Sequence, residues 1–113
     1  MEVIAFDPFV SEEVARELGV TLVDLEDLLP EADYVTLHTA LLPATTGMVN
    51  AQSISQMKDG VILINAARGK LIDDAALAEA LKSGKVKGAA IDVYQQEPPP
   101  PDNPLLELPN VIT

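Results

Sequence analysis

Cysteine and tryptophan are absent from the 113 residues, and only two phenylalanines and two tyrosines are present. Without cysteine the chain forms no disulfide and offers no thiolate to a metal. With so few aromatic rings, its core must be packed from Val, Ile, Leu and Ala, as in sheets covered on both faces. Basic residues are scarce too: seven Lys and Arg stand against 18 Asp and Glu, for a net charge of −11. Such a charge repels nucleic acid and anionic membrane surfaces, so neither is expected as a partner. Arg16 is the only base before Lys58. The cations that could meet an anionic ligand therefore lie mostly in the second half, and the acidity of the first half reads as solvated helix surface. No apolar run approaches the length of a membrane span, and no signal-peptide pattern opens the sequence, so a cytoplasmic location is expected. A chain of this length can bury one core, and a single domain over residues 1–113 is expected.

Short apolar runs alternate with helical patterns in the order βαβαβαβαβ. Val3 to Phe6 reads as a strand, followed by Ser11 capping a helix with Glu12 and Glu13 in its first turn and Val14 and Leu18 on one face. Gly19 can close that helix in a left-handed conformation. Thr21 to Val23 is a short strand, and Asp24 caps a helix that turns Leu25, Leu28 and Leu29 inward, with Pro30 beyond it. Tyr34 to Leu37 is the third strand. Asn50 starts a helical turn with Ile54 and Met57 facing inward. Val61 to Ile64 is a continuous apolar run that looks central in the sheet. Asp73 caps a helix bearing Leu77 and Leu81, Gly84 ends it, and Gly88 to Val93 is the fifth strand. A proline-rich connector, residues 97–110, then leaves the sheet as polyproline II or irregular loop. Val111 to Thr113 can add a sixth strand.

Ligands of open parallel sheets bind beyond the carboxyl ends of the strands. Polar residues stand at those ends. The central run closes on Asn65-Ala66-Ala67-Arg68-Gly69, and the fifth strand closes on Asp92, with Glu97 five positions on. Taken singly, Arg68 could cap carbonyls or pair with Glu97. Asp92 and Glu97 could form a metal pair, but no third ligand is suggested, so no metal is expected. Asp73 and Asp74 resemble an acid/base pair, yet their place at a helix start favours capping.

Together these segments resemble the NAD-binding domain of the D-isomer-specific 2-hydroxy acid dehydrogenases. The run Asn65 to Asp73 matches that family's N-x-x-R-G-x-x-x-D, and Asp92 to Pro98 matches its D-V-x-x-x-E-P. The segment Ala32 to Gly47 is similar to A-D-x-V-x-x-H-x-P-L-x-P-x-T-x-G, with Ala40 where the family has its first proline. The resemblance implies a catalytic pair, in which Arg68 binds the substrate carboxylate and carbonyl while Glu97 orients a histidine. It also implies NAD as cofactor, with Asp7 accepting the adenosine ribose hydroxyls, His38, Thr39 and Ala66 lining the cofactor side, and Asp92 near the nicotinamide amide. An acid at the position of Asp7 repels a 2′-phosphate and so favours NAD over NADP.

No G-x-G-x-x-G occurs in the sequence, and the only histidine, His38, matches the cofactor-side loop. The chain therefore reads as a truncated, Rossmann-derived domain without the first strand, the glycine-rich phosphate turn and the catalytic histidine. Hydride transfer to a 2-oxo acid needs a proton donor on the carbonyl oxygen, and pyrophosphate is normally cradled by the glycine turn and a helix N-terminus. The isolated chain is accordingly expected to be inactive and to bind NAD weakly or not at all, a small-molecule substrate belonging only to the parent. The expected fold is a three-layer α/β parallel sheet. Loss of the first strand leaves a vacancy that would expose two apolar edges. Closure of that vacancy gives the flavodoxin-like order 2-1-3-4-5 with right-handed crossovers kept. A monomer is favoured on that ground, and a dimer filling the gap is the rival. The other reading is a stand-alone flavodoxin-like structural or regulatory domain without cofactor. A phospho-receiver would need an aspartate ending the third strand, where Leu37-His38-Thr39 stands, and a flavodoxin would need a hydroxyl-rich loop where Asp7-Pro8-Phe9-Val10-Ser11 stands.

Overall fold

The computed structural model describes residues 1–113, in the order β1 (Ile4–Ala5), α1 (Glu12–Glu17), β2 (Thr21–Leu22), α2 (Leu25–Glu31), β3 (Tyr34–Leu37), α3 (Ala51–Ser55), β4 (Val61–Asn65), a 3-10 turn (Gly69–Leu71), α4 (Asp74–Ser83), β5 (Val86–Ile91) and β6 (Val111–Ile112). Every paired strand is parallel, as expected of strands joined through helices. The expected α/β class is therefore observed, and no helix is long and apolar enough to cross a membrane.

Local signals account for the element ends. Ser11 Oγ accepts the Val14 N–H at 3.2 Å, Asn50 and Ser53 form a reciprocal capping box, and Asp73 Oδ1 takes the N–H groups of Ala75 and Ala76. Each satisfies a donor that the first helical turn leaves without an intrahelical partner. Gly84 ends α4 with φ of 86°, a left-handed conformation that costs a glycine little. Pro30 lies inside α2, where it was expected beyond the helix. It falls in the last turn, and the chain bridges it by the Ala32 N–H to the Leu28 carbonyl at 3.0 Å. Asp24 makes no side-chain cap there.

The core lies under the larger sheet. Val61, Leu63, Leu71, Ile72, Leu77 and Val86 are almost wholly buried, together with Ile54, Met57 and Leu81. Leu105 of the proline-rich segment is fully buried among them. That segment is thus a strap with an apolar anchor, because Leu105 fills a slot in the core that a purely surface connector would leave empty. The face that Val14 and Leu18 share on α1 is turned to solvent: both are exposed, and only Ala15 of this helix is buried. This helix packs mainly on β2, so little apolar surface is available to cover it.

Strand order departs from expectation. The strands form a two-stranded sheet, β1-β2, and a four-stranded sheet, β3-β4-β5-β6, so β1 does not pair with β3 and the flavodoxin-like order 2-1-3-4-5 does not form. The reason lies in α2. This helix follows β2 directly and anchors Leu29 in the main core with Leu25 and Leu28 packed beside it. Closing the vacancy would move the β1-β2 pair by about one strand spacing, ~4.8 Å, against that anchor. The reward would be a ladder only as long as β1, which pairs just two residues with β2. Burial of the α2 leucines outweighs those few hydrogen bonds, each of which contributes only about 1 kcal/mol net.

Candidate functional site

The carboxyl ends of the parallel strands place most of the expected residues along one edge. Asp7 follows β1, His38 and Thr39 follow β3, Ala66 and Arg68 follow β4, and Asp92 follows β5. β4 and β5 are neighbours, and their register runs to Asn65 opposite Ile91. The Asp92 N–H continues the ladder onto the Asn65 carbonyl at 3.0 Å. This pairing brings the Arg68 run and the Asp92–Glu97 run together. Asp7 stands apart, on the smaller sheet.

Asn65 builds the turn that presents Arg68. Its side chain is buried, donates through Nδ2 to the Arg68 carbonyl at 3.0 Å, and accepts the Ala67 N–H through Oδ1 at 3.1 Å. Both ends of the side-chain amide are used, which clamps residues 66–68 into one conformation. Arg68 itself is exposed. Its Nη1 donates to the Ala67 carbonyl at 2.7 Å, and it makes no ion pair. The three ion pairs of the molecule engage Lys58, Lys82 and Lys85. The pairing of Arg68 with Glu97 is therefore not formed, and the guanidinium keeps donors free for an external anion.

Gly69 then passes directly against the second run. A Cβ on Gly69 would lie 1.8 Å from the Tyr94 carbonyl oxygen, so only glycine permits this approach. Glu97 curls back into its own turn, with Oε1 accepting the Tyr94 N–H at 3.0 Å, and remains exposed. Asp92 is likewise exposed.

On the other side of the edge, Asp7 Oδ1 accepts the Phe9 N–H at 2.9 Å, and its second oxygen has no partner in the chain. The turn thus holds an exposed carboxylate just past a strand end, with one oxygen open to hydroxyl donors. His38 Nε2 and Thr36 Oγ1 lie 3.0 Å apart in a hydrogen bond. The loop behind them is braced without a proline at position 40: Thr45 Oγ1 donates to the Ala40 carbonyl at 2.7 Å and accepts the Leu42 N–H at 2.8 Å. The loop is also tied to the Arg68 run, the Gly47 N–H reaching the Lys70 carbonyl at 2.8 Å. Two shallow hollows lie away from these residues, one of about 160 Å³ between Leu25, Leu29, Asn50 and Gln56 and one of about 240 Å³ beside Ala15, Val20 and Leu22.

Asp74 departs from the capping role expected of it. Asp73 caps α4 alone, while Asp74 is buried, with Oδ2 accepting from Asn103 Nδ2 at 3.2 Å. Burial raises its pKa above the ordinary carboxylate range and the charge of Asp73 adds to the rise, whereas the Asn103 amide and the Gln95 backbone N–H oppose it. At the far end of α4 the hydrogen bond and charge of Lys85 lower the pKa of exposed Asp59. Sequence reasoning missed Asn65, Asp74 and Asn103 as parts of this region. Asn65 was visible as the first letter of its motif, but nothing local in the sequence links Asp74 to an asparagine 29 positions away.

The sequence pattern described as "D-isomer specific 2-hydroxyacid dehydrogenase, NAD binding domain" matches residues 1–113. The chain is 54% identical over 113 residues to a D-3-phosphoglycerate dehydrogenase of Archaeoglobus fulgidus, covering all of this chain and 21% of that protein. It is 45% identical to the human D-3-phosphoglycerate dehydrogenase with the same coverage. The crystal structure of D-lactate dehydrogenase with NAD+ from Lactobacillus jensenii superimposes with a TM-score of 0.87 at 36% identity, over 98% of this chain and 37% of that one. The chain thus spans about a fifth of the length of the curated relatives it matches.

Proposed function

The chain belongs to the D-isomer-specific 2-hydroxyacid dehydrogenases, as their NAD-binding domain, and on that premise we propose that it serves the NAD-dependent oxidation of 3-phosphoglycerate at its 2-hydroxyl, the step that opens serine biosynthesis, in the cytoplasm. The observation that carries this reading is Arg68, an exposed guanidinium without an ion-pair partner, held by the Asn65 clamp at the end of the central strand. A planar guanidinium on a rigid turn suits two-point recognition of a carboxylate. Arg68 holds the substrate carboxylate and orients the 2-carbon. Asp7 offers its free oxygen to the adenosine ribose hydroxyls, His38, Thr39 and Ala66 line the cofactor side, and Asp92 addresses the carboxamide of the nicotinamide. NAD, when bound, supplies the hydride acceptor.

Glu97 is the carboxylate that supports an acid/base histidine on the substrate oxygen. In this chain Glu97 meets only the Tyr94 N–H, and the single histidine, His38, bonds Thr36. On this reading the 113 residues alone turn no substrate over, and any NAD they hold is held weakly. The reading is tested by titrating the chain with NAD while following the amide resonances of Asp7, Ala66 and Asp92. Saturable shifts in these residues are expected, weakened at least tenfold by Asp7→Ala. No response in the unaltered chain, or a response that Asp7→Ala leaves intact, refutes the cofactor assignment.

A further inference from the structure

Residues 1–23 hold the β1-α1-β2 unit, and the bonds of that unit stay inside it. The Thr21 and Val23 N–H groups reach the Val3 and Ala5 carbonyls at 3.1 and 2.9 Å, and the Val20 N–H reaches the Ala15 carbonyl at 2.9 Å. No hydrogen bond and no ion pair crosses from residues 1–23 to residues 24–113. Apolar packing does not replace them. The buried core begins at Leu29, and the partly buried side chains packed against it begin at Leu25. Within the unit only Ala15 is buried, while Val3, Phe6, Phe9, Val14 and Leu18 are exposed. Five carboxylates stand there against the single base Arg16, and the rest of the chain is acidic too, so charge offers no attraction across the boundary.

A two-stranded ladder with one buried alanine lacks the apolar burial that makes a small unit stable by itself. Such a unit opens at a much lower free energy than the core to which it is tethered. The boundary is sharp. The Val23 N–H belongs to the unit through the Ala5 carbonyl, whereas the Asp24 carbonyl belongs to α2 and accepts the Asp27 and Leu28 N–H groups at 3.0 Å. Asp24 makes no side-chain cap, so no further bond stiffens the joint between these two residues.

We propose that residues 1–23 form a lobe that opens and closes at Val23-Asp24 independently of the remaining chain, the body, and that a bound dinucleotide holds it closed. The independence of the lobe follows from its missing ties alone. Closure by the dinucleotide rests on the function proposed above, which puts the adenosine ribose on Asp7, in the lobe, and the nicotinamide carboxamide at Asp92, in the body. The ligand then spans a boundary that no directed bond of the protein crosses. Binding selects the closed lobe, and the fraction of time the lobe spends open is lost from the apparent affinity. A ligand that carries only one end of the dinucleotide touches one side and closes nothing.

The test is amide hydrogen exchange on the 113-residue chain. The Thr21 and Val23 amides report the lobe. The amides of Ile62 and Leu77, bonded to the Asp33 and Asp73 carbonyls at 3.1 and 3.0 Å, report the body. Without ligand, the lobe amides are expected to be about a hundredfold or more less protected than the body amides. Ala15→Asp puts a charge into the one buried position of the lobe. It is expected to abolish lobe protection and to leave the body amides within about threefold of the unaltered chain. Equal protection of the two sets, or a body loosened together with the lobe by Ala15→Asp, overturns the independent lobe. NAD is then added until the shift of the Asp92 amide saturates. Lobe protection is expected to rise about tenfold or more, and nicotinamide mononucleotide, which lacks the adenosine, to leave it unchanged. Saturation at Asp92 without a gain at Thr21 and Val23, or an equal gain from the mononucleotide, overturns closure by the dinucleotide. Absence of any shift at Asp92 refutes the cofactor assignment and closure with it, whereas the independence of the lobe is decided before ligand is added.

Discussion

Substituting Gly69 by alanine tests whether the two halves of the site are joined backbone to backbone. The added methyl group would lie 1.8 Å from the Tyr94 carbonyl oxygen, 1.9 Å from its carbonyl carbon and 2.6 Å from its Cα. Comfortable contact needs about 3.5 Å or more, so the two segments would have to part by roughly 1.5 Å. Neither can do so freely. Leu71 and Ile72, which follow Gly69, are buried, and Asp92, which precedes Tyr94, is held on the Asn65 carbonyl. Overpacking costs about 1–3 kcal/mol where side chains can adjust, and backbone stands on both sides here, so a loss of about 3 kcal/mol or more is expected. Urea unfolding is the assay. With a slope of about 1–3 kcal/mol per molar, the midpoint should fall by about 1 M or more. Gly88→Ala is the control. Its methyl group meets only the Asn110 carbonyl oxygen, at 3.3 Å, so a cost within about 1 kcal/mol is expected. A Gly69→Ala midpoint close to that of the unaltered chain, or equal losses in the two variants, would refute the close approach on which the geometry of the site depends.

Two further outcomes follow from buried polar groups. The Tyr94 hydroxyl is buried without a hydrogen-bond partner, and leaving such a group unsatisfied costs about 1–3 kcal/mol. Tyr94→Phe should therefore raise stability by about 1 kcal/mol in urea unfolding, and a loss of stability would reveal a partner for the hydroxyl. The raised pKa of Asp74 means that the folded chain retains a proton there over a pH range in which the unfolded chain has released it. Its contribution to stability is therefore greatest below the unfolded carboxyl pKa and is lost as pH rises through the folded one. The amide introduced by Asp74→Asn does not titrate, so the stability of that variant relative to the unaltered chain should increase with pH across this window and then level off. The exposed Asp59–Lys85 pair acts with the opposite sign but is common to both proteins and cancels in the difference. A stability difference that does not change with pH would contradict the burial of a charged Asp74.

How far the fold was legible varies with the range of the interactions involved. The helix starts at Ser11, Asn50 and Asp73 and the left-handed end at Gly84 were readable because each depends on a side chain or a glycine within a turn of the bond it makes. The central strand was readable because its apolar run has no polar face to turn to solvent. Asp73 and Asp74 were not separable by the same reasoning. Adjacent carboxylates at a helix start look alike until the strap delivers Asn103 to one of them. The candidate site divided along the same line. Arg68 and Asp92 lie just past strand ends that periodicity predicts, and Glu97 in the turn beyond the second of them, whereas the clamp of Asn65, the approach of Gly69 to Tyr94 and the free state of Arg68 needed the packed structure.

By itself the sequence determined the succession of strands and helices, the parallel α/β class, the acidic surface and the residues at the carboxyl edge, since these follow from periodicity, capping chemistry and charge over a few neighbouring residues. Only the tertiary structure decided that β1-β2 stays apart from β3-β4-β5-β6 and that the proline-rich segment is pinned through Asn103 and Leu105. Both outcomes turn on competition between distant groups: the α2 leucines against a short ladder in one case, and a buried carboxylate seeking donors in the other. Such contests are settled by which surfaces meet in space.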